Sequence, residues 1–427
     1  MLTPSRSVPR RRRLGVPGWA VLANVSARLV AVVALGVGTI VVARVGGAAD
    51  VGVLALLRVL PGLVGVLAAS GLPGAMGYFL AGPHREEPGL WPTILVVLAA
   101  GMTLGAAAWF VLLSVIHDIV MPTTTATVML LAGVSVATQL PVAVGKASLQ
   151  GLDDQYGANV VTGAEEAAFL PAYALVYLLG LRGPLLLVVA LIAADLVVAG
   201  GTWARLGRQV HRRGMRLGGR PDPELARDIV AFGMRGQVGG VVGLLNLRLD
   251  FLILGSLAGP GPLGVYAVAS KFAELVKVPA LAVTWVSYPR IARRGAVSSA
   301  RAVRHQLPWL LALGLVSAAG VAVAARPVLP ALYGHEFIGS VLPAVVIVVG
   351  LVASPAGGLA SGYLLGTRRP GTNSMVQGVG LVLTLGLDLL LIPSFGILGA
   401  AVASAVAYAV TDLTLLLVLQ RLLRGPG

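Results

Sequence analysis

The chain has 427 residues, 57% hydrophobic and only 11% charged, with a mean hydropathy of +0.90. A soluble domain carries about 25% charged residues, so the composition excludes one and describes a protein that crosses a membrane many times. Net charge is +15 and cysteine is absent. The charge lies in short segments between apolar runs and reads as membrane orientation, not nucleic-acid binding; the missing cysteine rules out disulfides, thiol catalysis and Fe–S clusters.

In chain order, a basic head at Arg10 to Arg13 precedes an apolar run from about Val16 to Val45. It is too long for a signal peptide and many others follow, so it reads as an uncleaved first span. Further apolar runs lie near Val51–Leu80, Leu90–Ile116, Thr124–Gln150, Tyr156–Leu179, Pro184–Leu206, Ile229–Leu257, Leu263–Tyr288, Leu307–Ala325, Ser340–Gly366, Asn373–Ile392 and Ile397–Leu423. Each is about 20 residues or more, enough to span, and each must be helical because a lone strand cannot satisfy its backbone in lipid. The fold class expected is all-α, a polytopic membrane protein of about twelve transmembrane helices.

The connections alternate in charge. With the N-terminus inside, 23 of the Lys and Arg residues fall on that side, including seven arginines between Arg205 and Arg227; the other side has Arg44, Arg182 and Arg326. Such asymmetry places both termini in the cytoplasm. The expected organisation is a cytoplasmic basic N-terminus (1–15), an N-terminal six-helix lobe (16–206), a cytoplasmic linker (207–228) able to lie on anionic headgroups, a C-terminal six-helix lobe (229–423) and a cytoplasmic tail (424–427).

The halves echo one another. Asp50-Val-Gly-Val-Leu matches Pro262-Leu-Gly-Val-Tyr, and Gly183-Pro matches Gly396-Ile, at an offset of about 212. A near-constant offset argues for duplication, and an even number of spans per half makes the repeats parallel. The pairs Gly236/Gly240, Gly239/Gly243 and Gly358/Gly362 read as close helix packing. Mid-run prolines at Pro61, Pro141, Pro171, Pro279 and Pro355 read equally as kinks or hinges. The five histidines fall in or beside predicted loops, which argues against a histidine metal site.

The centre of the chain, Asn246 to Ala292, reads as two apolar helices joined at Gly259-Pro260-Gly261-Pro262. Both carry charge, Arg248 and Asp250 in the first, Lys271, Glu274 and Lys277 in the second. Ionised groups at membrane depth face a protein interior or a wet cavity, so a polar pathway runs through the middle of the protein. Other intramembrane acids are Glu165, Glu166, Asp195, Asp388 and Asp412. Lys271, Glu274 and Lys277 share a helix face and can pair internally.

The stretch from Asn246 through Leu275 and on to Tyr288-Pro289-Arg290, with Leu332-Tyr-Gly-His-Glu-Phe337, Leu391-Ile-Pro-Ser-Phe-Gly-Ile-Leu-Gly-Ala-Ala401 and Gly71-Leu-Pro-Gly-Ala75, resembles the polysaccharide exporter family. These are the lipid-linked oligosaccharide (O-antigen-type) flippases of the multidrug/oligosaccharidyl-lipid/polysaccharide exporter superfamily. The resemblance covers essentially the whole chain. It implies two six-helix lobes around a central cavity and alternating-access export, without enzymatic chemistry or a cofactor, of a polyprenyl-pyrophosphate-linked sugar across the bacterial cytoplasmic membrane. Partners would be the lipid-linked sugar, membrane lipids and glycosyltransferases or a polymerase of the same pathway, with no nucleic acid. It also implies that spans one, two, seven and eight line the cavity, so Arg28, Arg58, Arg248, Lys271 and Lys277 are the candidate substrate-binding cations. Asp250, Glu274, Glu165, Glu166, Asp195 and Asp388 are their candidate charge partners. No metal site is expected.

Two alternatives remain open. A cation-coupled drug exporter of the same superfamily is expected to carry an acid in the first span, where this chain has Arg28. A membrane glycosyltransferase needs an acidic pair at the membrane surface; Asp153-Asp154 is the one such pair and reads as a solvated loop. No nucleotide-binding loop is visible.

Overall fold

In a computed structural model the chain is described over residues 18–82, 87–215, 218–278, 296–367 and 369–424. Arg10 to Arg13, His84 with Arg85, Pro279, the Tyr288-Pro289-Arg290 end of the eighth run and Arg368 lie outside the described residues. Within them are thirteen α-helices and no strand, the outcome that lipid imposes on backbone hydrogen bonding.

The first helices are α1 (Gly18–Ala68), α2 (Leu72–Ala81), α3 (Leu90–Val120), α4 (Ala126–Gly151), α5 (Gln155–Ala167), α6 (Phe169–Leu178) and α7 (Gly183–Arg212). They form one lobe. The second has α8 (Pro223–Ala258), α9 (Pro260–Ala273) running into a 3-10 turn at Glu274–Lys277, and α10 (Ala296–Tyr333). A second 3-10 turn (His335–Ser340) leads to α11 (Val341–Gly350), α12 (Ser354–Gly366) and α13 (Pro370–Arg424).

Six helices (α1, α3, α4, α7, α10 and α13) are long and apolar enough to cross a membrane unaided. As a single rod the 51 residues of α1 would extend about 75 Å, more than twice a hydrocarbon core of about 30 Å. Gly47 (φ 72°) breaks α1, and Gly396 (φ 54°) breaks α13, so each supplies two legs. Other crossings are assembled from pieces: the second leg of α1 with α2, α5 with α6, α9 with its turn, and α11 with α12, bent by 46°. With α8 included, the described residues form twelve helical legs, the number of runs read from the sequence. Pro61 and Pro141 lie inside α1 and α4, whereas Pro355 sits at the first turn of α12, where a missing amide breaks no ladder.

The duplication is visible in the backbone. Gly47 (φ 72°) and Gly259 (φ 83°) stand 212 residues apart, and Gly183 (φ 58°) and Gly396 (φ 54°) stand 213 apart. All four occupy the left-handed region that favours glycine. The lobes meet through the same repeat element: a Cβ on Gly52 would collide with Pro260, and one on Gly264 with Ala48, again 212 apart.

Core packing divides by depth. At the end where Gly47, Gly259 and Gly334 turn, one apolar cluster joins both lobes, running from Val42, Leu54 and Phe169 to Leu254, Tyr266 and Phe337. At the opposite end, where the arginines of 205–227 lie, the clusters are separate. One holds Met76, Trp91, Leu149 and Leu206 with the first turns of α8, and the other holds Leu310, Tyr363 and Leu419. The apolar cores of the two lobes are therefore continuous at one end and separate at the basic end, where the first turns of α8 still pack on the first lobe.

That basic end has its own anchor. Asp154 is 8% exposed and caps α5 by accepting from the Gly157 amide at 2.9 Å; it also accepts from Arg205 Nε at 2.7 Å and Gln209 Nε2 at 3.0 Å. The expectation of a solvated loop at Asp153-Asp154 fails for Asp154, because α7 packs against the turn after α4 and sets Arg205, and Gln209 one turn further on, against the carboxylate. Burial opposes the charge, but Arg205, the Gly157 amide and Gln209 outweigh it and hold the carboxyl below its ordinary range. The stabilisation is complete above the ordinary carboxylate pKa of about 4 and is lost as pH falls through the lower folded value. Asp154→Ala should lower stability in detergent by about 2 kcal/mol at pH 7. Thermal unfolding should show that difference shrinking below pH 4; a pH-independent deficit would contradict it.

Candidate functional site

Where the lobes part, they enclose a cavity of about 810 Å³. The first lobe contributes Leu54, Arg58, Gly62 and Gly65 from α1, Gln139 from α4, Glu165 and Glu166 from α5, Phe169 from α6 and Asp195 from α7. The second contributes Phe232, Gly236, Gln237, Leu244, Arg248 and Phe251 from α8 and Ala267 and Lys271 from α9. Gly236 has open space where a Cβ would stand, so it faces this cavity rather than a packed helix.

Helix geometry explains the wall. Arg58 lies four residues before Gly62 and seven before Gly65, and Arg248 lies four after Leu244, spacings that put each set on one face. A charge at this depth needs an internal partner, and most have one. Arg58 Nη1 meets Glu166 Oε2 at 2.5 Å and its guanidinium stands 5.0 Å from the Phe169 ring centroid. Lys146 Nζ meets Glu165 Oε2 at 2.5 Å, and Asp195 accepts from Thr138 Oγ1 at 3.1 Å. Lys271 Nζ meets Glu274 Oε2 at 3.0 Å, the i, i+3 pairing that the sequence allows.

Arg248 differs. Its guanidinium stands 5.3 Å from the Phe251 ring centroid, and among the described residues no carboxylate makes an ion pair with it. Asp250 and Glu274 lie within reach of its charge without pairing with it.

The remaining sequence candidates lie elsewhere. Arg28 is outside the lining, exposed, and donates to Asn24 at 3.2 Å, while Asn24 in turn donates to Asn159 at 2.9 Å. Lys277 is also outside the lining, its Nζ 4.9 Å from the Tyr408 ring centroid. Asp250, expected as a charge partner, is bound instead by the Tyr266 hydroxyl at 2.6 Å and the Phe251 amide at 2.9 Å, with Ser404 at 3.5 Å. Asp388 is fully buried on α13 and its carboxyl oxygens have no hydrogen-bond partner among the described residues. Among those residues no cluster of three or more metal-ligating side chains occurs.

Sequence reasoning missed Gln139 and Gln237 on the wall and the partners Thr138 and Lys146 behind it. Lys146 reads as a basic-side charge, yet it pairs with Glu165 on α5. Gln139 and Gln237 are uncharged and leave no signal at membrane depth; the Gln237 amide crosses the lobe boundary to the Val66 carbonyl.

Residues 18–295 match the polysaccharide biosynthesis protein family. The chain belongs to that family. No curated protein matches it in sequence. Among solved structures it is similar to the lipid II flippase MurJ in an inward closed conformation, with TM-score 0.72, 13% identity, and coverage of 94% of this chain and 87% of that one. It is also similar to an inward-facing multidrug resistance MATE family transporter of the MOP superfamily (TM-score 0.71, 17% identity, 94% and 98% covered). A third is the MATE multidrug transporter DinF-BH in complex with R6G (0.68, 13%, 96% and 97%). At such identities the likeness establishes the fold alone, two helical lobes, and that fold agrees with the family resemblance read from the motifs.

The ion pairs make the family member's wall testable by charge balance. Arg58→Ala leaves Glu166 unpaired at depth and should lower the folded fraction by about 2 kcal/mol, and Arg58→Ala with Glu166→Ala should recover most of it. Membrane abundance and detergent melting of the single and double variants measure this; a double variant as unstable as the single would show that the pair is not what holds the wall.

Proposed function

We propose that this family member is an alternating-access flippase that moves a polyprenyl-pyrophosphate-linked oligosaccharide from the inner to the outer leaflet of the bacterial cytoplasmic membrane. Both termini and the stretch around 207–228 face the cytoplasm, between lobes spanning 16–206 and 229–423. The observation that carries the reading is Arg248, a cavity cation with no described carboxylate partner, beside Lys271 on the same lobe. A pyrophosphate is a dianion or more at neutral pH, and guanidinium donors match its geometry. The cavity volume lies within the range of about 300–1,000 Å³ of small-molecule sites, which suits a headgroup and a few sugars but leaves the long polyprenyl chain in the bilayer. Gln139 and Gln237 offer amide donors and acceptors to sugar hydroxyls.

A drug exporter of the same fold is the second reading, favoured by the carboxylates Glu165, Glu166 and Asp195 on the opposite wall. Two of the three are already paired with Lys146 and Arg58, which leaves little negative charge for a cationic drug. The glycosyltransferase reading loses its acidic pair, since Asp154 is engaged as a helix cap and ion-pair partner.

In proteoliposomes, protection of a fluorescent polyprenyl-pyrophosphoryl disaccharide from dithionite should be lost in a protein-dependent way. Arg248→Ala should slow that loss at least roughly tenfold at normal abundance, the scale of one charge-assisted contact, and Arg248→Lys should recover part. Unchanged flipping by Arg248→Ala, or transport of cationic dyes but not of the lipid-linked sugar, would overturn the reading. Orientation has a separate check: Arg212→Cys in this cysteine-free chain should resist a membrane-impermeant maleimide in intact cells.

A further inference from the structure

At the fused end the lobes touch through glycine backbones, with Ala48 and Gly52 of α1 against Pro260 and Gly264 of α9. The apolar cluster shared by both lobes lies under this seam, and polar contacts at its exposed edge add to it. Two helix ends lie next to it. After the break at Gly47 the second leg of α1 restarts, and its first-turn amides have no intrahelical acceptor. On the other lobe α10 ends at Tyr333; the Gly334 amide serves the Pro330 carbonyl, and the Ala331 and Leu332 carbonyls have no further turn of helix to bond.

Each lobe fills the other's vacancy. The Ala48 amide donates to the Glu336 carboxylate at 3.0 Å. Arg44 Nε donates to the Leu332 carbonyl at 2.8 Å, and Arg44 Nη2 donates to the Ala331 carbonyl. An anion at a helix N-terminus and a cation at a C-terminus both complement the helix dipole. The side chains are exposed, so either contact alone would be weak in water, but both span the lobe boundary and break together when the lobes separate. Phe337, fully buried next to Glu336, fixes the segment that carries the carboxylate.

We propose that Arg44 and Glu336 are gating residues, a reciprocal pair of helix caps that latch the glycine seam shut and must release for the cavity to open at this end. With the orientation argued above this end faces outside the cell, and the inference rests on that reading for its sidedness alone. The latch sets the balance between closed and open states without touching cargo.

The test places Thr39→Cys, on the cavity wall, in the otherwise cysteine-free chain and follows its labelling by an impermeant maleimide added outside. Arg44→Ala and Glu336→Ala should each raise the labelling rate roughly threefold and together roughly tenfold. Arg44→Lys and Glu336→Gln, which keep a donor and an acceptor, should give smaller rises, and they answer the same question if the alanine variants fail to accumulate. Unchanged labelling in all four variants at normal abundance would overturn the latch. A rise confined to inverted vesicles would overturn its outward placement. Labelling does not depend on cargo, so the latch stands or falls separately from the lipid-linked sugar.

Discussion

The close approach of two helix backbones at Gly52 and Gly264 is the constraint on which the rest of the structure depends. It lets equivalent elements of the two repeats meet face to face, and any side chain at either position would strike a main chain across the boundary. Because the lobes touch at that end, their apolar interiors merge into one cluster there and divide into two at the basic end. The cavity is what the division leaves. Its place therefore follows from duplication, two copies of a bent unit joined at matching glycines.

Charge placement obeys a second rule. Each lobe keeps its intramembrane ions largely in internal pairs, Arg58 with Glu166, Lys146 with Glu165 and Lys271 with Glu274. A lone charge at this depth would be expensive, and pairing makes the wall stable in the absence of cargo. Arg248 rests against an aromatic face instead.

The basic end shows how the same chemistry serves architecture. Asp154, Arg205 and Gln209 tie the turn after α4 to the last turns of α7, and the Asp222 amide donates to Thr93 Oγ1 at 2.9 Å, tying the start of α8 to α3. On the same side Tyr78 stacks on Phe232 with ring centroids 4.4 Å apart, a contact between lobes that closes one flank of the cavity. These contacts lie on α2, α3 and α8, so the first turns of the second lobe travel with the first.

Sequence alone determined the class, the number of crossings, the duplication and the family, because each rests on a property that repeats along the chain. Apolar length has to match the bilayer, arginines mark one side of it, and the offset near 212 recurs at Gly47 and Gly259 as left-handed turns. It also marked the intramembrane ions, since charge in an apolar run is conspicuous. Which of those ions share a cavity was settled by tertiary structure. Arg28 and Arg58 look alike in sequence, yet one is exposed beside Asn24 and the other faces Glu166 across the cavity wall. Asp250 sits two residues from Arg248, but a helix turns about 100° per residue, so the carboxylate points into the second lobe toward Tyr266 while the guanidinium meets the cavity. Azimuth, and the packing of α4 on α5 that sets Lys146 against Glu165, depend on how neighbouring helices meet, and no linear pattern of charge encodes that.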